Sequence, residues 1–386
     1  MPTVLLLKSD YERIGGPESL LRSLAENLDR KRFRPVLGVL RRPGQPPLAE
    51  YPATLPQIDI RWQGGVALPA SIGRIAKAAR QSGAALIHTH DMRANAAARV
   101  LRFVHPIPWI AHVHGWLGHT HRGRWRLYEA IDRRVVRAAD LVLVGSASAR
   151  REVCGCGVER VEIVPNFVPM PAQPPPEPSA ARAELGLPPT AFLAGMLGRL
   201  HRGKGQHVFI AAMAGLARKG IEARGLIVGD GPERARLQAL AMAKGVADRI
   251  TFTGFVADAT RYIAAVDVLA VPSLKESLPL TAIEAMSFAR PVVASRAGDL
   301  PVLLGAGEHG MLVPVGDAAA LAEALACLAA DPDRRCRLGA AGRARAAAAY
   351  STGPALSRLE ACYADLIERC HGHAPTADAD TLRSAE

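Results

Sequence analysis

The chain has 386 residues, of which 49% are apolar, 22% charged and 5% aromatic. This length suffices for two domains with separate cores, and the composition excludes a disordered chain. Six cysteines are too few for a disulfide framework in a chain of this size, so we expect reduced thiols. No apolar stretch reaches the length of a membrane span, and residues 1–7 lack the features of a signal peptide. We therefore expect a cytoplasmic protein.

The net charge of +12 lies almost entirely in the first half of the chain. Residues 1–170 contain 25 Lys and Arg against 14 Asp and Glu, whereas the remainder contains 23 against 22. Solvated surface arginines would explain the excess without a partner. The alternative is a basic face that contacts an anionic acceptor or anionic lipid, which predicts peripheral association with the inner face of the cytoplasmic membrane. Nucleic acid is not expected as a partner, because interleaved aromatic residues and a binding module are missing.

Short apolar runs alternate with helical patterns, which predicts an α/β fold class of parallel sheets covered by helices on both faces. The predicted strands of the first half are 4–8, 35–40, 85–88, 109–112, 141–145 and 161–165. A proline-rich passage then interrupts the pattern over residues 165–178 and predicts a semi-rigid linker. The predicted strands of the second half are 192–197, 225–228, 250–253, 268–272, 291–294 and 311–313. From Ala318 onward the pattern is helical.

This pattern predicts two doubly wound, Rossmann-like units whose strand ends face one cleft, where open parallel sheets bind their ligands. The predicted division is an N-terminal domain over residues 1–168, a linker over 169–180, a C-terminal domain over 181–352, a final helix over 353–372 and a flexible tail over 373–386.

Two pairs of charged residues in the second half carry the chemistry. Arg199 and Lys204 follow a predicted strand, and an arginine fork with a mobile ammonium suits a diphosphate. Glu276 and Glu284 flank a predicted helix start, whose unpaired amides also suit a phosphate, and carboxylates suit sugar hydroxyls. Each pair alone could be unrelated surface charge. Together they predict a nucleotide-sugar site.

The first half contributes a group of histidines, namely His88, His90, His105, His112, His114, His119 and His121. We expect no metal site, because no companion metal-binding motif accompanies them. His114 differs from the others because it ends a predicted strand, where it could bind a sugar hydroxyl or a phosphate. Gly15 and Gly16, at the first strand-to-helix turn, allow a ligand to approach the backbone closely.

In these features the chain resembles the retaining glycosyltransferases of family 4, which have the GT-B fold. The resemblance spans nearly the whole chain. It rests on Gly15-Gly16, His114-Gly115, Pro165-Asn166, the stretch 198–205 (GRLHRGKG), the stretch 227–232 (IVGDGP) and the stretch 276–286 (ESLPLTAIEAM). Ser277 stands where the family often has glycine, and residues 166–169 depart from the family's usual linker sequence.

The resemblance implies a role for each matched residue. Arg199 and Lys204 would hold the donor diphosphate, and Glu276 would contact the donor sugar. His114 would lie beside the transferred sugar. The implied substrate-binding residues are Gly15, Gly16, Gly229, Ser277, Leu278 and Glu284, with Gly16 near the phosphates and Glu284 on the ribose. The N-terminal domain would bind the acceptor, the C-terminal domain the donor, and the final helix would cross back to the N-terminal domain.

The implied reaction transfers a sugar from a UDP-, GDP- or ADP-linked donor to a saccharide or lipid-linked acceptor, in envelope glycolipid or polysaccharide synthesis. No cofactor is expected, because fixed charges and helix amides can stabilise the leaving diphosphate without a divalent metal. Three alternatives remain open from the sequence. They are a nucleotide-sugar epimerase of the same fold, a phosphorylase, and a non-catalytic carbohydrate-binding scaffold.

Overall fold

The computed structural model describes residues 1–10, 15–44, 51, 54–63, 67–116, 124–172 and 177–371. These residues form two parallel β-sheets, one of seven strands and one of six, each flanked by helices. The prediction of two parallel α/β units is therefore confirmed. None of the described helices is long and apolar enough to cross a membrane.

The first sheet occupies the N-terminal half. Its strands are β1 (Thr3–Ser9), β2 (Arg34–Arg41), β3 (Gln57–Arg61), β4 (Ala84–Thr89), β5 (Trp109–Val113), β6 (Leu141–Val144) and β7 (Val161–Ile163). Its helices are α1 (Gly16–Asn27), α2 (Leu68–Ser82), α3 (Met92–Leu101), α4 (Arg124–Val135) and α5 (Ala147–Cys154). The spatial order is β3-β2-β1-β4-β5-β6-β7. The order reverses between β1 and β4, and ligands of open parallel sheets bind beside such a reversal.

The second sheet repeats this design. Its strands are β8 (Phe192–Leu197), β9 (Ala223–Val228), β10 (Ile250–Gly254), β11 (Val268–Val271), β12 (Val292–Ser295) and β13 (Met311–Val313). The helices that follow β7 are α6 (Pro178–Leu185), α7 (Gln206–Arg218), α8 (Arg234–Ala243), α9 (Thr260–Ala265), α10 (Leu280–Ser287), α11 (Leu300–Leu303), α12 (Ala318–Ala330), α13 (Pro332–Ala349) and α14 (Thr352–His371). The order β10-β9-β8-β11-β12-β13 reverses between β8 and β11.

The last helix, α14, packs against the first sheet rather than the second. Its buried residues Leu356, Leu359 and Tyr363 share a core with the leucines of α1. The Tyr363 ring lies 5.4 Å from that of Phe33 in an edge-on arrangement, and its hydroxyl is 2.7 Å from Nδ1 of His88. Burial of this stripe ties the end of the chain to its beginning.

Two features of the chain differ from the sequence prediction or extend beyond it. Strand β3 was not predicted, because it is a short edge strand in which only Ile58 and Ile60 alternate with polar residues. Helix α6 begins at Pro178, within the predicted linker 169–180, since proline suits a first helical position. Residues 173–176 of that linker and the predicted tail 373–386 lie outside the described residues, and the predicted domain boundaries stay a prediction.

Tyr363 tests the importance of the α14 contact. We expect Tyr363→Ala to lower the free energy of unfolding of the N-terminal unit by about 3–5 kcal/mol, because a fully buried ring is lost. Tyr363→Phe keeps the ring and removes only the bond to His88, so its cost should be about 1–3 kcal/mol. Urea unfolding followed by circular dichroism measures both values. Equal losses in the two variants would contradict this account of the packing.

Candidate active site

The centre of the candidate site is an ion pair between two loops of the second sheet. Nζ of Lys204 lies 2.6 Å from Oε2 of Glu276, and the Ser273 hydroxyl donates to the same oxygen at 3.1 Å. Lys204 belongs to the loop after β8, and Glu276 belongs to the loop after β11. These strands are neighbours at the point where the strand order reverses, so both side chains lie at the ligand-binding edge of the sheet.

Glycines allow these two loops to approach each other. Gly205 has a φ of +78°, and a Cβ at this position would overlap the carbonyl oxygen of Pro272. The amide of Leu274 donates to the carbonyl of Gly203 at 2.8 Å, which joins the loops through their backbones. The Lys204–Glu276 contact therefore depends on backbone geometry that a larger residue at position 205 would disturb.

Arg199 and Gly229 stand at the same edge of the sheet. The Arg199 side chain is exposed, and among the described residues it has no ion-pair partner, while its carbonyl accepts from Nε2 of Gln206 at 3.0 Å. Gly229 has a φ of +130°, and a Cβ there would overlap the carbonyl of Gly198. Gly229 thus has a packing role in supporting the loop that carries Arg199.

Helix α10 brings its first turn and Glu284 to the site. Its N-cap is Pro279, and no side chain of the described residues caps the first turn, so amides at this end are available to an anion. Glu284 is partly buried on the same helix. Burial, together with the negative charge of Asp258, raises the pKa of the Glu284 carboxyl to about 7. A ligand that donates hydrogen bonds to the Glu284 carboxylate would therefore stabilise its ionised form.

The first sheet faces this helix through the turn after β1. A Cβ on Gly16 would lie 3.5 Å from Cδ1 of Leu280, so the two units approach closely at the start of α10. The amide of Gly15 donates to Oε2 of Glu18 at 2.7 Å, and the other carboxylate oxygen of Glu18 pairs with Lys8. The buried Lys8–Glu18 pair therefore fixes the glycine turn where it faces the second unit.

Hydrogen bonds between the two units hold the segment that follows Glu276. The hydroxyls of Ser277 and Ser146 are 2.9 Å apart, and Nδ2 of Asn166 donates to the carbonyl of Leu278 at 2.6 Å. Nearby, the Asp299 carboxylate accepts from the amide of Ser148 at 3.1 Å, in the first turn of α5. These bonds commit the Ser277 side chain and the Leu278 carbonyl to contacts between the units.

Four stacked histidines lie at the carboxyl ends of β4 and β5, on the side of the first sheet that faces α14. We call His88, His90, His112 and His114 the histidine ladder. The ring centroids of His112 and His114 are 4.2 Å apart, and those of His88 and His90 are 4.1 Å apart. Desolvation, followed by the charge of Lys8, lowers the pKa of His114 to about 3, so the ring is neutral at physiological pH. His114 can then exchange hydrogen bonds with hydroxyls rather than act as a cation.

The remaining predicted histidines lie elsewhere or outside the described residues. His105 precedes β5 and is not part of the ladder, and His119 and His121 are not described. Most of the predicted donor-site residues do come together along the facing strand ends. The sequence reasoning missed Lys8 and Glu18, although a lysine at the end of an apolar strand and a glutamate just after a glycine pair were visible signals. It also missed Asp299, which only tertiary folding brings to α5.

Comparison with family models identifies the family of the chain. Residues 14–170 match the family model described as Glycosyltransferase Family 4, and residues 191–331 match the model described as Glycosyl transferases group 1, so the two models together match well over half of the chain. The chain belongs to the family 4 glycosyltransferases. The resemblance inferred from sequence motifs is therefore confirmed.

The chain is similar to two curated relatives and to one solved structure. A D-inositol 3-phosphate glycosyltransferase of Nocardia farcinica is 33% identical over 62% of this chain and 56% of its own length. A lipopolysaccharide core biosynthesis glycosyltransferase, LpsD of Rhizobium meliloti, is 32% identical over 54% of this chain and 57% of its own length. For several curated relatives, the alignment spans only about half of the relative's own length.

The third is a solved structure, HepE of Anabaena in complex with UDP and glucose. It has a TM-score of 0.80 at 21% identity, and the match covers 93% of this chain and 99% of HepE. At this identity the match concerns the fold alone. The GT-B fold predicted from the sequence is confirmed.

The raised pKa of Glu284 has a consequence for stability. A carboxyl whose pKa rises from 4.5 to about 7 on folding holds its proton more tightly in the folded state. Stability therefore falls as the pH rises through this window. We expect Glu284→Gln to stabilise the unliganded protein by up to about 3 kcal/mol at pH 8 and to have little effect near pH 4.5.

Urea unfolding of both proteins across this pH range measures the difference. Asp258→Asn is the matched second variant, because it removes the nearby charge and should give a smaller gain of the same sign. A constant difference between Glu284→Gln and the parent protein at all pH values would contradict the assigned pKa.

Proposed function

We propose that this protein transfers a glycosyl group from a nucleoside-diphosphate sugar to a saccharide or lipid-linked acceptor, with retention at the anomeric carbon. The observation that carries the proposal is the 2.6 Å contact between Lys204 and Glu276, opposite the glycine turn of the other unit. Membership of family 4 and the fold shared with HepE, which was solved with UDP and glucose, support a nucleotide-sugar donor.

The cations act on the leaving group in this proposal. Breaking the bond between sugar and diphosphate moves negative charge onto the phosphate oxygen while the sugar becomes oxocarbenium-like. Lys204, Arg199 and the first amides of α10 are fixed donors that stabilise this charge as it develops. The guanidinium of Arg199 binds the diphosphate in a bidentate way, since its geometry matches two phosphate oxygens.

The carboxylates and the histidine hold the rest of the donor. Glu276, freed from Lys204 as the phosphate takes over that cation, accepts hydrogen bonds from sugar hydroxyls. Glu284 accepts from the ribose hydroxyls, and the neutral His114 ring contacts the transferred sugar from the opposite unit. Gly15, Gly16, Gly229, Ser277 and Leu278 line the donor cleft. In the retaining route, the acceptor hydroxyl attacks the face that the diphosphate leaves and gives its proton to the departing phosphate.

Helix α4 of the N-terminal unit supports a membrane-bound acceptor. Its inner face is polar, because the buried carboxylate of Asp132 accepts from Nδ2 of Asn95 and Nε1 of Trp116, both at 2.8 Å. Its outer face carries apolar side chains, with Leu127 60% exposed and Ile131 44% exposed. The exposed arginines Arg126 and Arg134 are on the same helix.

Apolar side chains flanked by arginines suit insertion at an anionic lipid surface. The acceptor would then be a lipid-linked glycan at the inner face of the cytoplasmic membrane, in envelope glycolipid or polysaccharide synthesis. The name of the relative LpsD, a lipopolysaccharide core enzyme, supports this role.

Two variants separate the roles of the ion pair. Lys204→Ala should weaken binding of UDP, GDP or ADP, whichever binds, by at least about tenfold, because one charge-assisted phosphate contact is lost. Glu276→Ala should leave binding of the nucleoside diphosphate intact or tighter and should abolish sugar transfer. Calorimetric titration with the three nucleotides and their sugars, together with a transfer assay, measures both.

Lys219→Ala is the matched control, because Lys219 forms an exposed ion pair with Glu323 away from the cleft. Its binding and transfer should equal those of the parent protein. Full transfer activity in Glu276→Ala, or unchanged nucleotide binding in Lys204→Ala, would refute the proposed site. The anomeric configuration of the product, read by NMR, tests retention.

Membrane docking has a separate test. The protein should co-sediment with vesicles that contain phosphatidylglycerol and not with pure phosphatidylcholine vesicles, and salt should weaken binding. Replacing Leu127 and Ile131 together by serine should reduce binding at least about tenfold, since two apolar side chains no longer insert. Val302→Ser is the control, because Val302 is similarly exposed on the second unit. Equal binding to neutral and anionic vesicles would exclude the proposed docking.

A further inference from the structure

The histidine ladder contains a cluster with no role in the proposed transfer reaction. His88 lies on β4, and His90 follows that strand by one residue, two positions from His88. His112 lies on β5, and the register places Thr89 beside Ala111, so His90 falls beside His112. Residues two apart on a strand share a face, so the three rings project from the same face of the sheet. We call these three residues the histidine cluster.

The histidine cluster is fully enclosed. His88, His90 and His112 are 0%, 2% and 3% exposed. Among the described residues, five of their six ring nitrogens have no hydrogen-bond partner, namely Nε2 of His88 and both nitrogens of His90 and of His112. Buried polar atoms in folded proteins nearly always have partners, because an unmade hydrogen bond in the interior is costly. These unpaired nitrogens lie close together, so a bound ion that accepts their lone pairs would satisfy several of them at once.

His88 has the arrangement of an oriented metal ligand. Its Nδ1 lies 2.7 Å from the hydroxyl of Tyr363 on α14, which fixes the ring and leaves Nε2 facing away from that bond. Histidines that bind metals are typically held in this way through the second ring nitrogen. Tyr363 is itself fully buried against Phe33, so this orientation is rigid.

We propose that the histidine cluster is a binding site for one transition-metal ion of the zinc class, such as Zn²⁺, Co²⁺ or Ni²⁺. One ring nitrogen from each of His88, His90 and His112 can be chosen so that all three lie within 4.8 Å of one another. Imidazole nitrogen is a preferred ligand of these ions. A water molecule completes a four-coordinate site.

The electrostatic surroundings permit a dication. All three rings are buried, and each has at least one ring nitrogen without a partner among the described residues, so each can offer a lone pair to an ion. The positive charge of Lys8 acts on His90, and this charge is balanced by the ion pair of Lys8 with Glu18. The site lies within the N-terminal unit, so its existence does not depend on the proposed transfer reaction.

The experiment compares metal binding with and without the histidine cluster. Full-length protein stripped with a chelator is titrated with Co²⁺ and with Zn²⁺. We expect one ion per chain by elemental analysis, the visible absorption of four-coordinate Co²⁺, and a rise in the melting temperature that depends on the concentration of Zn²⁺. His112→Phe keeps an aromatic ring in the core but should lose the ion, the absorption and the rise. His105→Phe, outside the cluster, should behave like the parent protein.

A second variant tests the site even if His112→Phe fails to fold. Tyr363→Phe retains the packing and all three ligands but no longer orients His88, and it should bind Zn²⁺ about 10–100-fold more weakly. The proposal is overturned if the parent protein binds no stoichiometric ion. It is also overturned if His112→Phe binds as the parent does, or if His105→Phe loses binding equally. A folded Tyr363→Phe protein with unchanged affinity would overturn the assignment of His88 as a ligand.

Discussion

Two loops from neighbouring strands cross at the edge of the second sheet, and their contact places the Lys204 ammonium against the Glu276 carboxylate. The contact exists because Gly205 lets the first loop lie directly on the carbonyl of Pro272, with a backbone hydrogen bond between Leu274 and Gly203 beside it. Without a ligand, the Lys204 ammonium and the Glu276 carboxylate neutralise each other in a partly buried position. In the proposed function, a diphosphate that enters the cleft replaces Glu276 as the anion beside Lys204, and Glu276 becomes available to the sugar.

The first unit completes the site by a different device. It contributes a short glycine turn. Glu18 holds this turn by accepting a hydrogen bond from the Gly15 amide, and Lys8 holds Glu18 in place through an ion pair. Hydrogen bonds from Ser146 and Asn166 reach across to the segment between Glu276 and α10. The segment that follows Glu276 is thereby held by both units. This arrangement couples the position of Glu276 to the relative placement of the two sheets, because a displaced first unit would release Ser277 and Leu278.

The repeating pattern of apolar runs was sufficient to predict both sheets, because buried parallel strands read as continuous apolar segments. Strand β3 was not predicted because it is an edge strand without a continuous apolar run. Its only apolar residues are Ile58 and Ile60. For the site, the spacing of Glu276 and Glu284 and the motif around Arg199 were informative because local sequence determines a strand exit and a helix start. The contact of Asp299 with α5 and the approach of His112 to His88 and His90 could not be predicted in this way. They join residues that are distant in the chain, which only the tertiary fold brings together.

The central claim is that Lys204 and the first turn of α10 bind the pyrophosphate of a nucleotide in the cleft between the units. A crystal structure of the protein with the nucleoside diphosphate that binds most tightly tests it most directly. The account predicts phosphate oxygens within hydrogen-bond distance of Nζ of Lys204 and of the amides at the start of α10, with the Lys204–Glu276 contact opened. A nucleotide bound elsewhere, with that ion pair intact at 2.6 Å, would contradict it.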